Sequence, residues 1–307
     1  MRKEKKKGRK GLDRRLVYGI VLVTVVLVAL LVAYYLFQSR AENWTAAIVD
    51  QLTVVESLFN PTFNDTCTSL LTGSGYDVRY YPGSDVTVGF YEELPSKGER
   101  IIVVRAHSAV RDETDFVDLF TSEVYEDGKA YGAYYDLVID RHISRAVFNY
   151  PPYERYFAVG PTFVSSVMKG RFVDGLVVLM GCDSLNQTSM AEALIDRGAR
   201  VVVGWTGNVT VSDTDSRTLA LLDLLLAESY TVQGAVQKVN LDFPISDTRL
   251  AFYPAGAGSY VVPEGKSSTS SVLSEVVSPL FVSTSVAGWR RVEFSLPSGY
   301  EGAYLFV

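Results

Sequence analysis

An uncharged apolar run of 22 residues, Leu16–Phe37, dominates the start of the chain. A helix needs about 20 residues to cross a hydrocarbon core roughly 30 Å thick. A secretory signal peptide is the competing interpretation, but its apolar region is only about 7–15 residues long and a small-residue cleavage site follows it. Tyr34, Tyr35 and Phe37 lie at the outer end of the run, where aromatic side chains favour the membrane interface. The run therefore predicts a transmembrane helix over residues 16–37.

Beyond this segment the pattern changes several times. Residues 42–59 have apolar positions near a 3.6-residue spacing and predict a helix that ends at Asn60-Pro61. A further helix is predicted around residues 64–73 and a short strand at 76–81. The sequence IIVVRAH at 101–107 is the first strongly apolar strand. Residues 111–160 are polar and rich in tyrosine, and we expect them to form an insertion over the sheet edge, with a hairpin at 126–139.

The second half of the chain alternates more regularly between apolar runs and amphipathic segments. The predicted strands are 175–182 and 201–205, and the predicted helices are 161–170, 189–199, 215–230 and 231–240. Such alternation predicts βαβ units, and therefore an α/β fold with a mostly parallel sheet sandwiched by helices. The region 247–307 alternates and contains Gly and Pro, which predicts a small antiparallel β appendage after an ectodomain of residues 38–246.

Charge is distributed unevenly along the chain. Residues 1–15 contain nine Lys and Arg against Glu4 and Asp13, a net charge of +7, whereas the whole chain carries −6. The remainder therefore carries −13, which excludes nucleic-acid binding as an expected function. Basic flanks stay on the cytoplasmic side of a membrane. We expect a basic cytoplasmic tail, a single span in the bilayer through Leu16–Phe37, and an ectodomain outside the cytoplasm at the cell membrane.

Four N-x-T sequons agree with an extracytoplasmic ectodomain: Asn43, Asn64, Asn186 and Asn208, which are four of the seven asparagines. With two cysteines and two histidines in the chain, neither a disulfide scaffold nor a structural zinc site is expected. No cofactor is expected either.

Two residues whose side chains can take part in catalysis lie at equivalent positions, each at the end of a predicted strand. His107 and Cys182 each follow an uninterrupted apolar strand. In open α/β sheets the carboxyl ends of the strands form the ligand crevice. A nearby imidazole can take the proton of a thiol and so activate it as a nucleophile. The backbone N–H groups of Cys182 and Ser108 would then donate to a developing oxyanion. The alternative interpretation is that Cys182 is a small buried apolar residue.

Three segments carry a resemblance to a known family: IIVVRAHSA (101–109), VVLMGCDSL (177–185) and MAEALIDRGARVVVGWTGNV (190–209). They resemble the caspase-like cysteine peptidase fold, the group that contains clostripain, gingipain, separase, legumain, caspases and CHAT domains. The resemblance covers roughly residues 76–240 and is closest to clostripain-, gingipain- and CHAT-type sequences. The family usually has Gly directly after the histidine, where this chain has Ser108.

The resemblance implies Cys182 as the nucleophile and His107 as the general acid and base. It implies Trp205 as a wall of the specificity pocket, with a core or rim aromatic as the equal alternative. Asp183, Asp213 and Asp215 would suit a basic residue before the scissile bond, although Asp213 and Asp215 can also cap the helix that follows.

Three hypotheses follow from these residues. The first is a membrane-anchored cysteine endopeptidase that cleaves protein or peptide substrates outside the cytoplasm. The second is an inactive caspase-like ectodomain that binds a surface partner, which Ser108, the nearby sequons and the tyrosine-rich insertion favour. The third makes Cys67 and Cys182 a structural disulfide. His142 is the alternative imidazole, but its charged surroundings indicate a surface residue.

Overall fold

The computed structural model describes Tyr18, Val21 and residues 23–29, 44–112, 114, 116–148, 153–245 and 247–266. Within these residues the strands are β1 (Thr45–Asp50), β2 (Asp77–Pro82), β3 (Ile101–Arg105), β4 (Ser108–Val110), β5 (Val117–Val124), β6 (Ile143–Val147), β7 (Arg155–Val159), β8 (Leu176–Leu179), β9 (Val201–Trp205) and β10 (Leu250–Tyr253). The helices are α1 (Pro61–Gly73), α2 (Val88–Glu93), α3 (Asp127–Ala130), α4 (Tyr135–Ile139), α5 (Pro161–Ser166), α6 (Ser189–Asp196), α7 (Val211–Leu226) and α8 (Val232–Asp242).

Six strands form the main sheet in the order β2-β1-β3-β8-β9-β10. The first five are parallel to one another, and β10 runs antiparallel to β9. Side chains of a strand point alternately to the two faces of a sheet. In β3, Ile101 and Val103 pack with α1, α7 and α8, whereas Ile102 and Val104 pack with α2, α5 and α6. The prediction of a mostly parallel sheet between helices is therefore confirmed.

The largest error in the predicted elements concerns residues 42–59. We expected a helix, but Thr45–Asp50 is strand β1, and every one of its residues is buried. It lies between β2 and β3 in the sheet, so both of its faces need apolar side chains. A strand that is apolar on both faces lacks the two-residue alternation, and periodicity alone cannot distinguish it from a buried helix.

The tyrosine-rich region also differs from the expectation. Residues 126–139 form the short helices α3 and α4, so the prediction of a hairpin there is wrong. The strands of this region lie on either side of those helices. They form a second, antiparallel sheet in the order β4-β5-β7-β6, which begins at Ser108 directly after the candidate base.

The two ends of the chain lie largely outside the described residues. The strand Leu250–Tyr253 belongs to the main sheet and not to an appendage, while residues 267–307 are not described. Of the predicted span, Tyr18, Val21 and residues 23–29 are described, and they are helical with exposed side chains. Within the described part of the chain, no helix combines the length and the apolar character needed to cross a membrane.

Candidate active site

The turns after β3 and β8 are in direct contact at the carboxyl edge of the main sheet. The two strands are neighbours, with Val104 opposite Leu179 in the parallel register. Ser108 Oγ donates a hydrogen bond of 2.5 Å to the carbonyl oxygen of Cys182. A Cβ added to Gly181 would lie 2.2 Å from Ser108 Oγ and 2.7 Å from the carbonyl oxygen of Ala106. Only glycine fits between these turns, so the close approach depends on Gly181.

The backbone of His107 is fixed from two directions. Its N–H donates to Oε1 of Gln51 at 3.1 Å, and its carbonyl oxygen accepts from the N–H of Phe120 at 2.9 Å. Gln51 is completely buried, and its Nε2 donates to the carbonyl oxygen of Thr121 in β5. One amide side chain therefore links the end of β1, the histidine and the second sheet.

The imidazole of His107 is half-buried against aromatic rings. Its centroid lies 4.7 Å from that of Phe148 and 5.9 Å from that of Phe120. Burial, with a smaller contribution from the positive charge of Arg105, lowers the pKa of His107 to about 4. The ring is consequently neutral at physiological pH, the form that can accept a proton.

The thiol of Cys182 is half-buried on the adjoining turn and contacts the loop after β9. Its Sγ lies 3.4 Å from both the N–H and the carbonyl oxygen of Val209, accepting from the first and donating to the second. The next residue, Asp183, has φ = 55° and donates its N–H to the carbonyl oxygen of Gly207. His107 and Cys182 thus lie on two turns that are in contact. The imidazole packs on Phe148, and the thiol contacts Val209.

A buried ionic cluster lies directly beneath this edge. Arg105, the last residue of β3, is fully buried and donates from Nε and one terminal nitrogen to both carboxylate oxygens of Asp215, at 2.8 and 2.9 Å. Its other terminal nitrogen donates to Asp50 at the end of β1, at 2.8 Å. Asn60 also donates to Asp215. Burial raises the pKa of Asp50, and the attraction of Arg105 opposes that rise.

An open cavity of about 430 Å³ adjoins this cluster, between the start of α1 and the start of α7. Five apolar and seven polar residues line it: Ser57, Leu58, Phe59, Asn60, Thr62, Phe63, Arg105, Val211, Ser212, Asp215, Ser216 and Leu219. Cavities of this size are typical of small-molecule binding sites. Val211, in the lining, follows Val209, the partner of the Cys182 thiol, by two residues, while Cys182 and His107 themselves are not among the lining residues.

The three predicted specificity carboxylates have different surroundings. Asp213 lies 2.6 Å from Arg217 within α7, and it accepts from the hydroxyl of Thr210, the N-cap of that helix. Asp215 is bound by Arg105, as described above. Burial raises the pKa of Asp183, which favours its neutral form. Asp213 and Asp215 are thus each paired with an arginine of the same chain, which weakens the case for a basic substrate residue.

Trp205 lies in the protein core. Its side chain is 1% exposed, and Nε1 donates to the hydroxyl of Thr214 at 2.9 Å. A ring with this little exposed surface offers no wall to a substrate, so its placement favours the alternative of a core aromatic.

The remaining predicted residues are dispersed. Asn186 and Asn208 are exposed on loops that flank Cys182, and Asn43 lies outside the described residues. Asn64 is half-buried in α1, and its amide nitrogen, the atom to which a glycan would attach, donates to the hydroxyl of Tyr80 at 3.0 Å. His142 precedes β6 in the second sheet.

Cys67 and Cys182 are free thiols, so the hypothesis of a disulfide between them does not agree with the structure. Cys67 lies in α1 with no exposed surface. Burial, with the nearby charges of Asp215 and Asp50, raises its pKa to about 12.

Two functional candidates were missing from the sequence predictions. The sequence could have indicated the role of Arg105, because a charged residue at the end of the apolar run IIVVRA needs an oppositely charged partner if the strand is buried. Nothing in the sequence indicated a role for Gln51, because this residue lay within a predicted helix, where a single amide side chain has no evident role.

Comparison with known proteins yields little. No protein-family model and no curated protein matches this chain. Among solved structures, it is similar to the crystal structure of gingipain R, an Arg-specific cysteine proteinase, with a TM-score of 0.38 and 11% sequence identity. The match covers 73% of this chain but only 46% of gingipain R, so the chain spans less than half of that protein's length.

Proposed function

We propose that this chain is a caspase-like cysteine endopeptidase that is anchored in a membrane and acts outside the cytoplasm. Cys182 is the nucleophile and His107 the general acid and base. The observation that supports this most directly is the contact between the two turns that bear them, made by Ser108 and Gly181 across adjacent parallel strands.

The reaction proceeds in two stages. The neutral imidazole of His107 takes the thiol proton of Cys182, and the sulfur attacks the carbonyl carbon of the scissile amide. The oxyanion that forms accepts from backbone N–H groups of Cys182 and Ser108. The imidazolium returns its proton to the leaving amine, which leaves a thioester on Cys182. Water then attacks the thioester and loses a proton to the imidazole. The C–S bond breaks to release the acid, and the imidazolium returns that proton to the sulfur, which restores the thiol.

This chemistry requires hydrogen-bond contact between the imidazole of His107 and the thiol of Cys182. The imidazole now packs on Phe148, and the thiol bonds to the backbone of Val209. Catalytic hydrogen bonds are often long or misaligned without substrate and tighten in the complex. A substrate carbonyl that binds at the two turns would displace Val209 as the partner of the thiol.

The cavity beside α7 would accept the substrate side chain that precedes the scissile bond. Since Asp215 already binds Arg105, and Phe59, Phe63 and Leu219 line the cavity, we expect it to prefer a bulky apolar side chain over lysine or arginine. A Leu219→Trp variant, which fills the cavity, should reduce cleavage after large residues and leave cleavage after alanine nearly unchanged.

Anchoring is supported by the uncharged 22-residue run Leu16–Phe37 and the basic segment that precedes it. The described helical residues of that run have exposed apolar side chains, as Val21 and Val25 illustrate at 53% and 60% exposure. Extraction of membranes with alkaline carbonate tests this part, because an anchored chain stays in the pellet and a peripheral one is released.

The activity is tested with a thiol-reactive peptidyl probe and a fluorogenic peptide library on the purified chain under reducing conditions. Labelling and cleavage should require Cys182 and fall steeply in Cys182→Ala and His107→Ala variants. Cys67→Ala is the matched control, since it removes the other thiol and should leave labelling intact. Absence of cleavage and of Cys182-dependent labelling under these conditions would refute the peptidase proposal.

A second candidate is an inactive caspase-like module that binds a partner at the cell surface. It is favoured by the thiol of Cys182, which both donates to and accepts from Val209, and by the serine that stands where the family usually has glycine. Peptide turnover that depends on Cys182 at ordinary enzyme rates would exclude this alternative.

A further inference from the structure

A cationic and aromatic surface lies at the opposite edge of the main sheet from the candidate site. Trp44, Arg100 and Arg200 immediately precede β1, β3 and β9, which are three parallel strands. Parallel strands begin at one edge and end at the other, so these residues share the amino edge, whereas His107 and Cys182 follow strands at the carboxyl edge.

The last described residues return to this edge. The N–H of Gly265 donates to the carbonyl oxygen of Ser74, just before β2, at 2.8 Å. Lys266 Nζ consequently lies 5.7 Å from the ring centre of Trp44. Trp44 and Lys266, the described residues that adjoin the undescribed stretches 30–43 and 267–307, therefore lie next to each other.

Two rings at this edge are each covered by cations. The Arg100 guanidinium lies 4.7 Å from the centre of Trp44, which Lys266 also approaches, and the Arg200 guanidinium lies 5.7 Å from the centre of Tyr260. We call these five residues the amino-edge patch. A tryptophan or tyrosine with adjacent arginine or lysine is the composition that proteins place at the level of lipid headgroups.

Arg200 of the patch makes only a weak, solvent-exposed contact with a carboxylate. Asp174 lies 3.8 Å from Arg200, and both side chains are more than half exposed, so water competes strongly with their contact. Asp77, the first residue of β2, donates its backbone N–H to the carbonyl oxygen of Trp44, and it and Glu264 are exposed acidic residues close to the patch in the chain or the sheet. Nε of Arg100 is buried without a hydrogen-bond partner among the described atoms.

The chain length outside the described residues keeps this patch close to a membrane. Seven residue steps separate Phe37 from Trp44, and an extended chain spans at most about 3.6 Å per residue, which gives about 25 Å. We propose that the amino-edge patch docks on the phosphates of anionic phospholipids in the bilayer that holds the anchor. This inference rests on the proposed anchoring and not on the proposed peptidase activity.

The test uses the full chain in vesicles of phosphatidylcholine alone or with phosphatidylserine, each prepared with brominated lipids that quench tryptophan. A Trp289→Phe background leaves Trp44 and the buried Trp205, and the difference from Trp44→Phe/Trp289→Phe isolates the Trp44 signal. We expect quenching of Trp44 to be stronger in phosphatidylserine. Replacing Arg100, Arg200 and Lys266 by glutamine should abolish that dependence. Replacing Lys129, Lys169 and Lys238 by glutamine removes three exposed charges elsewhere and should preserve it.

Quenching of Trp44 that is absent, or equal in both vesicles, would overturn the inference. So would a phosphatidylserine effect that the control charges abolish equally. Carbonate extraction of the same vesicles distinguishes failure of the docking proposal from failure of the anchoring proposal. A chain that stays in the membrane while Trp44 is not quenched refutes the docking alone, and a chain that is released refutes the anchor and the docking together.

Discussion

Replacement of Arg105 by methionine should destabilise the protein strongly. Methionine keeps much of the side-chain volume but removes every hydrogen bond of the guanidinium to Asp50 and Asp215. The side chains of Arg105 and Asp50 have no exposed surface, and that of Asp215 is 6% exposed. Removal of one partner from a buried ion pair costs about 3–5 kcal/mol, because the remaining charges stay buried without compensation. We therefore expect a loss of about 4 kcal/mol in the free energy of unfolding.

Urea unfolding of the purified chain, followed by circular dichroism, measures this loss. With a slope of about 2 kcal/mol per molar urea, the midpoint should fall by about 2 M. The matched control is Arg217→Met. Arg217 pairs with Asp213 along one face of α7, where the partner carboxylate is 38% exposed. The Arg217 side chain is 12% exposed and also donates to the carbonyl oxygen of Phe243, but water reaches its partner carboxylate, so this variant should lose clearly less stability than Arg105→Met.

A compensated variant separates charge burial from packing. Arg105→Met combined with Asp50→Asn and Asp215→Asn removes all three charges and should recover most of the lost stability, since buried ion pairs are often replaceable by neutral groups. The reasoning fails if Arg105→Met costs no more than Arg217→Met. It also fails if the triple variant is no more stable than the single one.

Three further predictions concern the candidate site. Gln51→Met should cost about 1–3 kcal/mol in unfolding free energy, because it leaves the buried N–H of His107 without its acceptor; an unchanged urea midpoint would contradict this. His107, with its pKa lowered to about 4, should stay neutral in the folded chain while the unfolded chain protonates near pH 6.5. Stability should therefore fall by about 3 kcal/mol as the pH drops from 6.5 to 4, and a His107→Phe variant should lack that part of the pH dependence. Gly181→Ala should cost at least 1 kcal/mol, because its Cβ would overlap Ser108, whereas Gly73→Ala meets no atom within 4 Å and should be neutral or stabilising in thermal unfolding.

The sequence predicted best where an element is long, apolar and bounded by turn residues. Strands β3, β8 and β9 each form such a run, and their predicted places are confirmed. The positions of His107 and Cys182 after two of them followed directly, because parallel strands end at a common edge. That these two strands are neighbours was an assumption at the level of sequence, and the sheet order confirms it.

Contacts that join distant segments were beyond sequence reasoning. Tyrosine favours strands, so residues 126–139 resembled a hairpin, but Tyr134 packs on Phe157 and bonds to Glu123, which stabilises helices there. The partners of Arg105 lie 55 and 110 residues away along the chain. Local periodicity holds no information about such pairs, and this is why the ionic cluster and the role of Gln51 emerged only from the structure.

The contrast between the two cysteines gives this protein an internal reporter of unfolding. In the folded chain an alkylating reagent meets the half-buried Cys182, whereas Cys67 has no exposed surface and holds its proton with a pKa of about 12. Modification of Cys67 therefore requires α1 to leave the sheet. After Cys182 has reacted, the arrival of a second adduct measures how often the core opens, so mass spectrometry of the unlabelled natural sequence can rank variants by stability without any engineered probe.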